Sequence, residues 1–444
     1  MEETEFIVDL ELLSSMQERT KKQPKLLTSS AAQRRCSIFR VPQNIKKLHP
    51  RSFIPEIVSI GPYYHGEQHL QMIQEHKWRF LGIILHRLKD FNIDLSNFFK
   101  EISIQEEEIR ACYSENIDRY NTRELIQMMI LDGCFIIELL CVVEKIINPN
   151  PNDPIFNLPW ILTSLTRDLL RLENQIPFFV LQSLYKLSIP ESMDVPPLQE
   201  LILELCKYSV ARSIDEIQLR RKYRNIEAEH ILDFYRSTFI PLSEKQDTDA
   251  SSKYRDPFEL IQPVEKLREA GIKVEERKGS ESFLDIKFRE DGVLEIPRLV
   301  TDDMMSSFIL NCIALEQSYK HRTKHFTSYV VFMGCLINTV VDAGCLRDEK
   351  IIENFFGTDE QVVKFFNEAG RDVTFDIEET YLSEVFKDVD NYYRNVWHVR
   401  WAEFKYNYFG SPWIFLSAFV AFFLLLLTIL QSFFSVYSYF SPPN

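Results

Sequence analysis

Residues 122–146 read TRELIQMMILDGCFIIELLCVVEKI, and this stretch decides the fold. It is apolar nearly all round at helical length, which places a helix at the centre of a packed domain. Thr122, with Glu124 two residues on, is the expected N-cap, and the Asn-Pro run at 148–154 ends the helix. Asp132 and Glu138 lie in its middle, and each is costly in hydrocarbon, so this is not a membrane span. A central helix of this kind needs other helices around it. Helical periodicity recurs at 161–172, 177–187, 197–212, 303–319, 326–345, 360–369 and 378–395.

Two stretches break the helical pattern. Residues 271–299 contain GIKVEER, SFLDIKF and GVLEIPRL, the second alternating Phe283, Asp285 and Lys287 against Leu284, Ile286 and Phe288. With Glu290-Asp291-Gly292 as the turn between the last two runs, they predict a small antiparallel β-meander. Residues 243–256, SEKQDTDASSKYRD, are polar and aperiodic and predict a flexible loop. The expected fold is therefore mainly α, a large helical domain over 34–405 with a small inserted meander. Residues 1–33 are expected to be a flexible acidic tail.

Charge divides the 444 residues unevenly. The sum is 51 basic against 65 acidic side chains, a net −14, yet 406–444 carry none of either sign. An acidic chain is a poor nucleic-acid binder, and 12 glycines argue against glycine-built nucleotide sites. Within the neutral end, residues 412–434 read PWIFLSAFVAFFLLLLTILQSFF, long enough to cross a bilayer as one helix. Arg394, Arg400 and Lys405 precede it and nothing basic follows, which places the large domain in the cytosol. Trp397, Trp401 and Trp413 fit an aromatic belt at the interface, leaving 406–411 as an interfacial segment and 435–444 as a short far-side tail. The expectation is a single-pass, tail-anchored protein in the plasma membrane or endoplasmic reticulum. The absence of any Asn-X-Ser/Thr sequon fits a cytosolic domain. Around the anchor, Trp397, Trp401, Phe404 and Tyr408 fall on one helical face. That face reads either as an interfacial helix or as a stripe packed on the domain.

The chemistry-bearing residues form no familiar motif. Gly61 and Gly66 have P-loop spacing, but Glu67 stands where a phosphate-binding Lys is required. His65/His69 and His321/His325 are spaced for a metal on one helical face, though the first pair sits in a turn and the second in a cationic stretch. No metal and no cofactor is expected. Asp132, Glu173, Glu316 and Asp342 lie in or beside apolar runs. Two carboxylates meeting in a cleft would allow acid–base catalysis, whereas separate burial would require a partner for each, such as Arg167 or Arg171 for Asp132. Eight cysteines scattered through apolar runs read as reduced core thiols. Residues 34–51 hold six basic side chains and no acid, a patch suited to acidic lipid or to acidic surface elsewhere in the chain.

Several blocks are recognisable as words. CSIFRVPQNIKKLHPRSFIPEIVSIGPYYHGEQHLQMIQEHKWRFL (36–81), LDGCFIIELL (131–140), RDLLRLENQIPFFVLQSL (167–184), SFLDIKFREDGVLEIPRL (282–299), NCIALEQ (311–317), FTSYVVFMGCLINTVVDAGCL (326–346) and YFGSPWIFLSAFVAFFLLLLTILQ (408–431) resemble, in order, the plant domain of unknown function 247 family. The resemblance implies a plant protein with no assigned activity, substrate, cofactor or catalytic residues, ending in a hydrophobic span. Some relatives are associated with self-incompatibility in grasses, which implies recognition or signalling through a protein partner. An enzyme using Asp132, Glu173 or Glu316 is the alternative, and a peripheral lipid-binding module using 34–51 and 392–409 a third reading.

Overall fold

The computed structural model describes residues 10–22, 35–190, 193, 195–207, 216–224, 226–241, 260–319, 322–394 and 412–440. Nineteen α-helices precede the C-terminal one among these residues. They are α1 (Leu10–Lys21), α2 (Gln43–Leu48), α3 (Pro50–Phe53), α4 (Gln71–Leu88), α5 (Leu95–Ile104), α6 (Glu106–Ala111), α7 (Thr122–Val143), α8 (Pro154–Asn157), α9 (Pro159–Leu169) and α10 (Phe178–Ser188). The rest are α11 (Leu198–Lys207), α12 (Glu216–Tyr223), α13 (Ile231–Ser237), α14 (Val264–Glu269), α15 (Asp303–Ser318), α16 (His325–Leu336), α17 (Val340–Asp348), α18 (Asp359–Ala369) and α19 (Ser383–Arg394).

Helix α7 is central, with α4, α5, α10 and α11 packed around it. It is buried from Leu125 to Val142 apart from Gln127, which is why nearly every side of it must be apolar. Its N-cap is Asn121, not Thr122. The Asn121 side chain accepts from the Glu124 N–H while Glu124 bonds back to the Asn121 N–H, a reciprocal box that Thr122 could not form one residue later. Helix α15 is a second centre, touching α3, α9, α13 and α16. The expected helix 326–345 is two helices, α16 and α17, bent by 107°. Ile337, Thr339, Val340 and Val341 are β-branched and weak helix formers. Thr339 restarts the chain by a capping box with Asp342.

The β region is small but is not an antiparallel meander. Strands β1 (Lys273–Glu276), β2 (Lys287–Arg289) and β3 (Val293–Ile296) form a sheet in the order β1-β3-β2, with β1 parallel to β3. The β2–β3 hairpin is the expected one, antiparallel and turned at 290–292 with Gly292 at φ 81°. What the alternation of SFLDIKF concealed is that only its last residues are strand. Phe283 and Leu284 are both buried, and Ser280, Ser282 and Asp285 bond one another in a turn. The chain thus crosses over before β2 begins. Strands β4 (Leu299–Thr301) and β5 (Ile352–Asn354) make a separate parallel pair.

Helix α1 lies inside the stretch expected to be a flexible tail, with none of its side chains buried. The polar loop 243–256 and the segment 406–411 lie outside the described residues. All eight cysteines are thiols, six of them buried. The C-terminal helix runs Pro412–Phe440. Its apolar stretch with described side chains, Phe419–Phe434, is shorter than a bilayer span, and those side chains are exposed to the surroundings. Helix α7 is long and apolar enough to cross a membrane, but 89% of its most apolar window is buried inside the fold.

Candidate functional site

The sequence 54–65, IPEIVSIGPYYH, runs through the interior without joining a helix or a strand. Pro55 and Pro62 lack N–H groups, and Ile54, ahead of Pro55, is extended. Gly61 takes φ 74°, and a Cβ there would lie 2.4 Å from the Gln175 carbonyl oxygen. Backbone buried without a ladder must find other partners, because an unpaired N–H or C=O in the interior costs about 1–3 kcal/mol.

Side chains supply them. Asp168 on α9 accepts from the N–H groups of Glu56, Ile57 and Val58 at 2.8–3.0 Å. Asn174 donates to the Val58 carbonyl and accepts from the Ile60 N–H at 2.7 Å. Lys77 on α4 donates to the Ser59 carbonyl, and Asp132 on α7 accepts from the Gly61 N–H at 2.7 Å. Arg119 and Tyr120 donate to the Pro62 carbonyl. The strap is thus laced to α4, α7, α9 and the 171–176 turn.

The charges in this lacing are balanced locally. Lys77 and Asp132, each with a side chain 1% exposed, pair at 2.5 Å. Arg171, wholly buried, lies 3.2 Å from Asp168 and 3.0 Å from Glu56. Burial pushes the Asp168 carboxyl above its usual range, against the pull of Arg171 and the three N–H bonds. Glu173 accepts from Lys46 at 2.8 Å, Arg40 at 3.0 Å, the Tyr64 hydroxyl at 2.5 Å and the Val41 N–H at 2.8 Å. Burial alone would raise its pKa; the bonds from Lys46 and Tyr64 and the nearby cations outweigh this and hold it low.

Glu316 belongs to another centre. It bonds Arg236 at 2.9 Å and accepts from the N–H groups of Phe326 and Thr327 at the start of α16. Asp342 caps α17 and also accepts from the Glu265 N–H. No hydrogen bond joins any two of Asp132, Glu173 and Glu316 among the described residues. Each is a multiply bonded acceptor. The suggested pairing of Asp132 with Arg167 or Arg171 is replaced by Lys77, because α4 rather than α9 packs on that face of α7.

Lys77 was legible: it falls at helical spacing among Ile73, Phe80, Leu81 and Ile84, all buried. A lone lysine on a buried face calls for a buried carboxylate. Asp168, between Thr166-Arg167 and Leu169-Leu170, gave no such signal for its main partners, which are the backbone N–H groups of 56–58 from a distant segment, beside Arg171.

The remaining candidates separate. His65 packs edge-on to Tyr120 and His69 lies 3.2 Å from the Pro55 carbonyl. His325 stacks on Tyr381, and His321 lies outside the described residues. No group of three metal-ligating side chains occurs among the described residues. Of the basic patch, Arg40 and Lys46 are committed to Glu173, while Arg35, Lys47 and Arg51 are exposed. Arg394 ends α19 and bonds Asp390 at 2.9 Å. Trp397, Arg400, Trp401 and Lys405 lie outside the described residues, and Trp413 is in the first turn of the C-terminal helix.

Comparison with known proteins places these features in a wider group. The profile of a family described as plant protein of unknown function matches residues 38–427. The chain is similar to UPF0481 protein At3g47200 of Arabidopsis thaliana, 39% identical over 437 residues, covering 94% of this chain and 90% of the relative. A putative UPF0481 protein of the same plant is 24% identical over 497 residues, covering 91% of each. No solved structure matches the chain.

Proposed function

The chain belongs to the DUF247 family of plant proteins of unknown function, and from that premise we propose that it is a membrane-anchored module whose helical domain binds a protein partner in recognition or signalling. The observation that carries the anchoring is the uncharged end, 406–444, with its apolar run at 412–434. About twenty such residues suffice for the 30 Å hydrocarbon core. A helix covers that run, and its described side chains from Leu416 to Phe434, dominated by Leu and Phe, are exposed. Lipid is the solvent that suits them. Arg394, Arg400 and Lys405 orient the helical domain toward the cytosol by the positive-inside rule.

The state of the buried carboxylates supports a binding role over catalysis. Asp132, Glu173 and Glu316 already accept two, four and five hydrogen bonds from groups of the fold itself, which engages them in holding the domain together. Protease protection in plant microsomes tests the topology: the helical domain should be digested with the membranes intact. A protected domain would refute the cytosolic assignment. Proximity labelling from the same domain would then identify the partner, and labelling indistinguishable from that of an unrelated anchored protein would remove the recognition reading.

A further inference from the structure

The parallel pair β1 and β3 sends two loops off the same end of the sheet, 277–286 and 297–298. Between them is a cavity of about 180 Å³. Ligands of sheets with parallel strands lie outside the carboxyl ends of those strands, where the departing loops part. The floor is apolar and buried: Phe239, Phe283, Leu299 and Met305, with the two rings 5.3 Å apart. An engineered cavity of about 150 Å³ holds a benzene ring, so this one has room for a ring and a short polar head.

The mouth is polar. The loop Lys278-Gly279-Ser280 turns through Gly279 at φ 75°. Successive backbone N–H groups around such a residue form an anion-receiving concavity. The N–H groups of 278–281 find no acceptor among the described residues. Charge then narrows the ligand. Arg277 is bonded to Asp285 and Glu295, Arg298 to Glu353, and Glu281 to Lys222. Lys278 and Glu276 line the cavity without an ion pair among the described residues, which keeps the site near neutral. A single negative charge on an apolar ring fits this balance; a polyanion does not.

We infer that this cavity binds a small aromatic carboxylic acid, its ring on the Phe239–Phe283 floor and its carboxylate at the 278–280 loop. The inference goes beyond the anchoring reading and does not depend on it. The probe is phenylacetate, titrated calorimetrically into the full chain in detergent, beside benzyl alcohol, acetate and phenyl phosphate. Phenylacetate should bind at least tenfold more tightly than the other three. Lys278→Glu, at an exposed position, should weaken phenylacetate about tenfold and leave benzyl alcohol unchanged. Val300→Trp, which fills the cavity, should abolish both while the melting temperature holds. If Val300→Trp lowers the melting temperature, the Lys278→Glu titrations decide alone. Equal affinity for acetate or benzyl alcohol, phenyl phosphate binding as tightly as phenylacetate, or phenylacetate affinity indifferent to Lys278→Glu would overturn the proposal.

Discussion

Two helices of this chain are long and mainly apolar, and they have opposite surroundings. Helix α7 is enclosed by α4, α5, α10 and α11, whereas the described side chains of Pro412–Phe440 touch little of the protein. Both are rich in large apolar side chains; what marks their surroundings is charge. Helix α7 carries Asp132 and Glu138, each answered by a cation from α4, Lys77 and Arg87 respectively. The C-terminal helix carries no charge and needs no answer. An ionisable residue inside an apolar helix is thus evidence of a protein environment with a matched partner, because lipid offers none.

The comparison breaks most sharply at its buried pair. Lys77→Met removes the buried partner of Asp132 and should cost about 3–5 kcal/mol of stability, read by urea denaturation of the full chain in detergent. Lys77→Met with Asp132→Leu should recover much of that loss, although the Gly61 N–H is then unpaired at about 1–3 kcal/mol. The mirror experiment is Leu425→Arg in the C-terminal helix. It should disfavour insertion by about 2.5–3.5 kcal/mol and reduce the fraction floating with membranes, with the domain's urea midpoint unchanged.

Gly61→Ala is a smaller perturbation of the lacing. The left-handed backbone and the contact with Gln175 should cost at least about 1–3 kcal/mol, again by urea midpoint. The gentlest probe is pH. His230 is wholly buried, accepts from the Asp233 N–H and contacts the Ser37 carbonyl; burial lowers its pKa, against the pull of Asp233 and the Ser37 carbonyl, with Arg236 reinforcing the shift. The unfolded chain therefore takes up a proton first. The stability due to neutral His230 is full above about pH 6.5 and declines as pH falls toward the depressed folded value. His230→Gln should flatten that decline, while the proposed membrane association, resting on a helix without Asp, Glu, His, Lys or Arg, should not respond.

How much of this was readable follows from range. The helices announce themselves through local periodicity, and 122–146, 303–319 and 360–369 lie within a few residues of their observed ends. The break between α16 and α17 was written in Asn338-Thr339 and Asp342, a capping signal inside an otherwise continuous apolar run. The β1–β3 pairing was not legible, because parallel partners here are set by a crossover stabilised through Ser280, Asp285 and Arg277, not by alternation. The lacing of 56–65 was half legible. Pro55, Gly61 and Pro62 mark an irregular segment, and an irregular buried segment demands acceptors, but which distant carboxylates supply them depends on packing. Asp132, Asp168 and Glu173 all lie in or beside apolar runs, but nothing in the local sequence names the distant groups they bond.

The contrast between the two apolar helices can be tested in one measurement, since the chain contains no glycosylation sequon of its own. A sequon-bearing tag is appended after Asn444 in one version and inserted at 150–152, just beyond α7, in another. Both are expressed in plant cells and scored for glycan addition. The account predicts a glycan on the appended tag alone. A glycan at 150–152, or none on either version, would contradict it.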